Sequence, residues 1–211
     1  MGNYEKTFET WNKLAHNYQG KFMYFDLYDD TYNLFCEWLE KPNAKIFEIG
    51  CGPGNITRYL LNKRPDFKII ATDVAPNMVA VAQENNPAAT CMVLDCRELS
   101  DMATKFDGVM CGFCMPYLVK DDCLKLIKDS ANILNEKGVL YFSAIEDAYS
   151  KSTYETSSDG QHTMFVYYHE EIYLQTALKE NNFTQVEVKR KHYEKANGTT
   201  QTHIIFIARK L

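Results

Sequence analysis

A glycine-rich turn after a short apolar run limits this chain to a small set of folds. Residues 45–49 form the run, and glycines then occupy every second position, at Gly50, Gly52 and Gly54. A helical pattern begins at Ile56. Glycine is needed where a backbone bends sharply and where it approaches a ligand without a Cβ in the way. The segment therefore predicts a strand, a ligand-binding turn and a helix in direct succession.

The spacing of these glycines distinguishes two kinds of cofactor. A dinucleotide-binding turn places its third glycine where this chain has Asn55, and it does not require the acid that precedes the first glycine here, Glu48. The pattern therefore favours a nucleoside cofactor with an amino-acid end over one that contains a pyrophosphate.

Short β-branched runs alternate with amphipathic helical stretches through the middle of the chain. We predict strands over 45–50, 68–74, 90–95, 106–111 and 138–145. The clearest helix between them has apolar residues at spacings of three and four, namely Leu124, Ile127, Ala131 and Leu134. Such alternation is typical of a parallel sheet that is covered by helices on both faces.

Further elements flank this unit. Two helices are predicted before it, the first around Trp11 and the second around Trp38. After it, the polar stretch 146–160 is predicted to be a loop, and a helix is expected at about 169–182. Asn197-Gly198 then separates two strand-like runs, 184–193 and 200–209, which is a strong hairpin signal.

These elements predict one α/β domain over residues 1–211, a length that a single core can reach. Its doubly wound sheet has seven strands, mostly parallel, and the carboxyl-terminal β-hairpin supplies the antiparallel strand. We predict four segments: a helical cap at 1–42, a cofactor-binding core at 43–145, a substrate lid at 146–168, and a closing helix and hairpin at 169–211.

Acidic side chains stand where two of the predicted strands end. Asp73 closes the second strand, 19 positions after Gly54, and Asp95 closes the third, just before Cys96. Open α/β sheets bind ligands at the carboxyl ends of their strands, and a carboxylate accepts hydrogen bonds from hydroxyls and amines. We therefore expect both carboxylates and Glu48 to surround one ligand.

Over about 45–145 the chain resembles the class I S-adenosylmethionine-dependent methyltransferases, near the small-molecule group that includes ubiquinone and menaquinone C-methyltransferases. The resemblance implies a Rossmann-like fold and S-adenosyl-L-methionine as cofactor. It also implies that the glycine turn wraps the methionine moiety, that Asp73 binds the ribose hydroxyls and that Asp95 binds adenine. The cofactor-binding residues expected on this basis are Glu48, Gly50, Cys51, Gly52, Gly54, Asp73, Val74, Met78, Asp95, Cys96 and Cys111.

The acceptor side is less defined. Residues 112–115 are expected to line the path from sulfonium to acceptor. They are followed by Pro116-Tyr117. Enzymes that methylate the amines of nucleobases carry an Asn or Asp before such a pair, and this chain lacks it, so a nucleobase substrate is not implied. Methyl transfer needs alignment, with a base only for some acceptors. The candidate catalytic residues are His162, Tyr117 and Tyr154, with His169 as a further candidate base.

The composition and the net charge indicate which classes of partner the protein is expected to bind. The net charge of −5 has the wrong sign for a protein that binds nucleic acid through phosphates. No apolar run approaches the roughly 20 residues that span a bilayer. The seven cysteines are expected to be reduced, and Cys111 and Cys114 lack a second pair for zinc, so no metal is expected. We expect a cytoplasmic monomer or homodimer that acts on a small-molecule methyl acceptor.

Two alternatives stay open at this point. One is a nicotinamide-dependent oxidoreductase, which Glu48 and Asn55 disfavour. The other is a partner subunit that binds the cofactor without catalysing a reaction, because binding residues can survive when catalysis is lost.

Overall fold

A computed structural model describes residues 3–156, 162–195 and 197–211. Seven α-helices lie in these ranges: α1 Asn3–Lys13, α2 Ala15–Phe22, α3 Asp29–Trp38, α4 Asn55–Lys63, α5 Pro76–Asn85, α6 Lys120–Ile133 and α7 Glu171–Glu180. The strands are β1 Lys45–Ile49, β2 Lys68–Asp73, β3 Thr90–Val93, β4 Phe106–Cys111, β5 Leu134–Ile145, β6 Thr153–Thr156, β7 Thr163–Val166, β8 Phe183–Glu194 and β9 Thr200–Lys210.

Seven of the strands form one sheet in the order β3-β2-β1-β4-β5-β9-β8. The pairs from β3 to β5 are parallel, whereas β9 is antiparallel to both β5 and β8. The predicted fold class is confirmed, including the hairpin that supplies the antiparallel strand. The carboxyl ends of β1, β2 and β4 therefore meet at one edge of the sheet.

The central strands are buried on both faces, as expected for a sheet with helices on each side. All six residues of β4 are buried. On one face, Phe142 of β5 stacks on Phe206 of β9, with ring centroids 4.7 Å apart. On the other face, Tyr141 contacts Phe35 of α3 edge to face at 6.2 Å. Two apolar layers thus hold the ligand-binding edge in place.

Three helices precede the sheet, where two were predicted. The first expected helix is divided at Leu14, which has φ −92° and ψ 7°. The hydrogen bonds Leu14 N–H to Thr10 O and Tyr18 N–H to Leu14 O continue the helical pattern across the division. Because the helical periodicity continues across the bend, the sequence pattern did not reveal the division into two helices. None of the helices in the described ranges is both long and apolar enough to cross a membrane.

The prediction of a loop over 146–160 was wrong in part. A 3-10 turn forms at Tyr149–Lys151, and β6 pairs with β7 in a separate two-stranded antiparallel sheet. The residues of β6 are Thr-Tyr-Glu-Thr, so threonine and tyrosine supply β propensity although the stretch is polar. The remainder of the predicted loop, 157–161, lies outside the described residues.

Candidate functional site

The glycine turn connects β1 to α4 through left-handed backbone. Gly50, Gly52 and Gly54 have φ values of 66°, 53° and 82°, which side chains with a Cβ rarely adopt. A Cβ on Gly54 would lie 2.2 Å from Nδ2 of Asn86. That amide donates to the carbonyl of Gly54 at 3.0 Å, so the turn is also tied to the end of α5. The predicted turn is thus fixed by backbone geometry and by packing.

Asp73 ends β2 beside this turn. Its Oδ2 accepts the Gly52 N–H at 2.9 Å, and its Oδ1 accepts the Ala75 N–H at 2.9 Å. Burial raises the pKa of Asp73, while these N–H groups oppose the shift. Each oxygen accepts one backbone hydrogen bond and keeps capacity for a ligand hydroxyl.

Glu48 lies behind the turn and is fully buried. Its Oε2 accepts a hydrogen bond from the Thr57 hydroxyl at 2.6 Å, whereas Oε1 has no partner among the described residues. Burial raises the pKa of Glu48 to about 8, which the bonds from Thr57 oppose. The carboxyl therefore braces β1 against α4 in its protonated form near neutral pH.

Asp95 follows β3 and faces the same edge of the sheet. Burial raises its pKa, but its hydrogen bonds with Arg97 outweigh this and leave the pKa below its usual value. The Arg97 guanidinium lies 2.5 Å from Oδ2, and the Arg97 N–H donates to Oδ1 at 2.9 Å. Asp95 is therefore a charged acceptor at neutral pH, oriented by one neighbour.

A narrow cavity, termed here the cofactor cavity, joins these residues. Seven of the predicted cofactor-binding residues line it: Gly50, Gly52, Asp73, Val74, Met78, Asp95 and Cys96. The other four, Glu48, Cys51, Gly54 and Cys111, do not line it. Cys51 and Cys111 are buried beneath the turn and within β4. The sequence pattern therefore located the cavity wall together with the layer that supports it.

A second cavity of about 790 Å³, termed here the outer cavity, adjoins the first. Its walls come from α1, α2, the β6–β7 sheet and the tip of the β8–β9 hairpin. Four aromatic residues line both cavities, namely Trp11, Tyr18, Phe113 and Tyr117. The two spaces therefore meet at an aromatic junction.

Phe113 is the strained member of this junction. Its φ of 61° is left-handed although it is not glycine, a conformation that persists only where the surroundings enforce it. Its N–H donates to Oγ of Ser143 at 2.9 Å, and its ring contacts those of Tyr28 at 4.7 Å and His203 at 5.2 Å. The expectation that 112–115 lie on the acceptor path stays a prediction, and Phe113 lies where both cavities meet.

The four residues considered as bases occupy different places. Tyr117 lies at the aromatic junction, and burial raises its pKa well above the usual value, so its phenol stays protonated. Tyr154 is 51% exposed, and neither it nor His162 is among the described residues that line the two cavities. His169 is fully buried and donates from Nε2 to the Met115 carbonyl at 2.9 Å, which gives it a structural role.

The sequence analysis did not identify His203. It lies at the start of β9, opposite Ile145 at the end of β5, and it lines the outer cavity. A histidine in an otherwise apolar strand, His203-Ile204-Ile205-Phe206, was the available signal. Its use would have required the strand order, which places the start of β9 beside the carboxyl end of β5.

Comparisons with known proteins agree with this geometry. The family model of a methyltransferase domain matches residues 46–138. A methyltransferase of Invertebrate iridescent virus 6 is 27% identical over 113 residues, covering 54% of this chain and 41% of the viral protein. The trans-aconitate 2-methyltransferase of Variovorax paradoxus is 43% identical over 61 residues, covering 29% of this chain and 21% of that enzyme. The chain therefore spans less than half the length of these relatives.

A solved structure extends the likeness to the whole fold. The N-methyltransferase NodS from Bradyrhizobium japonicum, in complex with S-adenosyl-L-homocysteine, superimposes with a TM-score of 0.72. The alignment covers 97% of this chain and 98% of that one at 17% identity, a level that bears on fold alone. With the sheet order and the glycine turn, the match to the family model identifies residues 46–138 as a methyltransferase domain.

Proposed function

We propose that this protein transfers the methyl group of S-adenosylmethionine to a small-molecule acceptor by in-line displacement. The observation that carries the proposal is the meeting of the two cavities at Trp11, Tyr18, Phe113 and Tyr117. One cavity has the polar groups that a nucleoside requires, and the other has room for an acceptor. An in-line transfer needs donor and acceptor on opposite sides of one point, and the junction provides such a point.

The residues of the cofactor cavity fit this cofactor. Asp73 would accept hydrogen bonds from the ribose hydroxyls, Asp95 would accept one from the adenine amine, and the Cys96 N–H would meet a ring nitrogen. The methionine end would lie along Gly52, where an added Cβ would point toward Tyr18 at 3.8 Å. When bound, S-adenosylmethionine supplies a methyl group on a positively charged sulfur.

The aromatic junction would hold and align the sulfonium and the acceptor. Its rings would shield the reacting groups from water, and aromatic faces attract a cation, by up to about 2 kcal/mol where the cation is desolvated. Alignment of two reactants contributes roughly 7 to 11 kcal/mol in well-oriented intramolecular models. Tyr117 would act as a hydrogen-bond donor at this point because its phenol is protonated. No proton transfer to Tyr154 or His162 is needed in this arrangement.

We place acceptor selection in the segment 146–168 and in the amino-terminal helices. Glu155 and Thr156 of β6 and Met164 and Val166 of β7 line the outer cavity. The opposite wall comes from α1 and α2. These segments lie outside 46–138, the part that matches the shared domain model. Their position fits a role in selecting the methyl acceptor, which differs between relatives.

We further propose that the enzyme works in the cytoplasm as a monomer or homodimer and does not bind nucleic acid. All seven cysteines are free thiols, as suits a reducing compartment. The net charge of −5 disfavours a phosphate backbone as partner.

Methyl transfer is tested with tritium-labelled S-adenosylmethionine and a panel of small metabolites. We expect at least one labelled product from the wild-type protein, and at least a tenfold slower transfer at limiting cofactor from Asp73→Ala, because that variant loses charged hydrogen bonds to the ribose. Cofactor that binds but labels no member of a broad panel that includes organic acids, phenols and amines would instead favour the non-catalytic partner subunit.

A further inference from the structure

We infer that the methyl acceptor is a planar aromatic molecule carrying an anionic oxygen, and that His203 and Lys21 recognise this oxygen. The inference rests on the proposed function, because it takes the outer cavity as the acceptor site. It concerns binding and specificity, and it assigns His203 no part in bond making.

The walls of the outer cavity favour a flat ligand. Phe25 contacts Tyr193 edge to face at 5.9 Å, and Tyr193 stacks on His203 at 5.4 Å. Across from them, Phe113 lies 5.2 Å from the same imidazole. Offset stacking and edge-to-face contacts are the geometries that aromatic rings prefer. A planar ring that lies against the cavity side of these residues would make further contacts of this kind, whereas a flexible polar chain would leave the rings in contact with water.

His203 offers a hydrogen bond that no described residue takes. The residue is 6% exposed, and the Tyr28 hydroxyl lies 2.7 Å from its Nδ1. A phenol is a stronger donor than a neutral imidazole, so Tyr28 donates. Burial lowers the pKa of His203 to about 4, with Lys195 adding to the effect, so the neutral ring holds its proton on Nε2. That atom is buried and has no partner in the described ranges, and the residue that carries it lines the outer cavity.

An unpaired buried N–H calls for an acceptor atom on the ligand, since a buried donor left without a partner is destabilising. A second such donor, the Nε1–H of Trp11, belongs to a ring that lines the same cavity. An oxygen with a full or partial negative charge is the acceptor that both donors would bind most strongly.

The charges in the cavity point to an anion as well. Glu155 is neutralised by Lys195 at 2.9 Å, and it also accepts hydrogen bonds from Gln201 and Tyr168. Lys21 has no carboxylate partner among the ion pairs of the described residues, and its Nζ lies 4.9 Å from the centre of the Phe22 ring. One uncompensated positive charge therefore remains at the cavity wall, close to the aromatic surface.

Three probes that share one ring system test the inference on protein saturated with S-adenosylhomocysteine. They are a naphthalenecarboxylate, a naphthol and a naphthylmethylamine, titrated by calorimetry. We expect the naphthalenecarboxylate, which is anionic at neutral pH, to bind about tenfold or more tightly than the amine, since a charge-assisted hydrogen bond is at stake. The naphthol is a neutral hydroxyl at this pH, so it should bind less tightly than the carboxylate. Equal or tighter binding of the amine would overturn the inference.

Variants then assign the recognition to residues. His203→Phe should weaken binding of the carboxylate about tenfold, and Lys21→Gln several-fold, while neither weakens binding of the amine. Lys13→Gln is the matched control, because Lys13 is exposed at the end of α1 and does not line the cavity. If His203→Phe does not fold, Lys21→Gln still tests the charge. Unchanged affinity in the folded variants would overturn the assignment.

Each variant is first titrated with S-adenosylhomocysteine, which should bind within about threefold of wild type. This titration distinguishes a failure of the proposed function from a failure of the inference about the acceptor. A wild-type protein that does not bind S-adenosylhomocysteine contradicts the proposed function and, with it, the inference. Normal cofactor binding without preference for the carboxylate contradicts the inference alone.

Discussion

At the scale of single residues, Gly54 is the position where backbone and packing restrict the side chain together. Gly54→Ala should destabilise the protein by at least about 1 to 2 kcal/mol, because a Cβ there meets Asn86 at 2.2 Å and φ is 82°. The matched control is Gly20→Ala, where φ is not left-handed and no heavy atom lies within 4 Å. Since Gly20 lies in α2, alanine should stabilise it by roughly 0.5 to 1 kcal/mol.

Urea unfolding of the two variants measures both changes. Equal stability of Gly54→Ala and wild type would show that the turn relaxes at little cost, and the importance given to its third glycine would then be wrong.

Residue-level prediction succeeded where the constraint is local. Positive φ at alternate glycines follows from the tight turn after a strand, and the sequence contains all that is needed to expect it. His203 could not be found in this way, because its partner Tyr28 is 175 positions away and its environment depends on strand order. The same holds for the junction of Trp11 with Tyr117, whose rings lie 5.3 Å apart.

At the scale of elements, Asp107 in β4 joins three parts of the fold. Its carboxylate accepts hydrogen bonds from Lys41 Nζ at 2.8 Å, from the Lys45 N–H at 2.9 Å and from Asn135 at 2.8 Å. Asp107→Ala should lower the free energy of unfolding by about 1.5 to 3 kcal/mol, because three donors lose a charged acceptor. Asp147→Ala is the control, since its exposed pair with Lys151 should contribute less than about 1 kcal/mol.

The effect of Asp107 should depend on pH. Burial raises its pKa, but the bonds from Lys41, Lys45 and Asn135 outweigh this, and the net pKa is lowered. A carboxylate with a lowered folded-state pKa stabilises the protein above its unfolded pKa of about 4, and the contribution is lost as the pH falls further. The difference between wild type and Asp107→Ala in urea unfolding should therefore shrink below about pH 4. A difference that grows toward acid would contradict this role.

Element prediction succeeded for the hairpin and failed for the small sheet. Asn-Gly between two alternating runs determines a hairpin by turn chemistry alone. The pairing of β6 with β7 joins a polar tetrapeptide to an apolar one, Thr-Met-Phe-Val. The two strands share no sequence pattern from which their pairing could be predicted. Polar residues are tolerated in β6 because most of its side chains are exposed, and only the partner strand supplies buried side chains.

At the scale of the whole molecule, α1 and α2 cover both cavities, and Trp11 lies in their shared wall. The sequence contains two tryptophans, and Trp38 packs against Arg209, away from the cavities. In Trp38→Phe the remaining indole should change its fluorescence when S-adenosylhomocysteine binds. In Trp11→Phe the signal from Trp38 should stay constant. If calorimetry detects binding of S-adenosylhomocysteine but the fluorescence of Trp11 does not change, these helices do not cover the cofactor.

The overall architecture followed from the sequence because strand and helix alternation allows few sheet orders. The division into a cap, a core, a lid and a closing hairpin stays a prediction, since it concerns what each segment does. The outer cavity could not be predicted, because it forms where elements far apart in the sequence meet, among them α1, α2, the β6–β7 sheet and the β8–β9 hairpin.

The central claim, that Asp73 and the glycine turn bind an S-adenosyl nucleoside, is tested most directly by calorimetric titration. We predict binding of one S-adenosylhomocysteine per chain and none of NAD. Asp73→Ala should weaken the complex about tenfold to a hundredfold, while Asp121→Ala, an exposed carboxylate on α6, leaves it unchanged. Binding of NAD without S-adenosylhomocysteine, or an unchanged dissociation constant for a folded Asp73→Ala, would contradict the account.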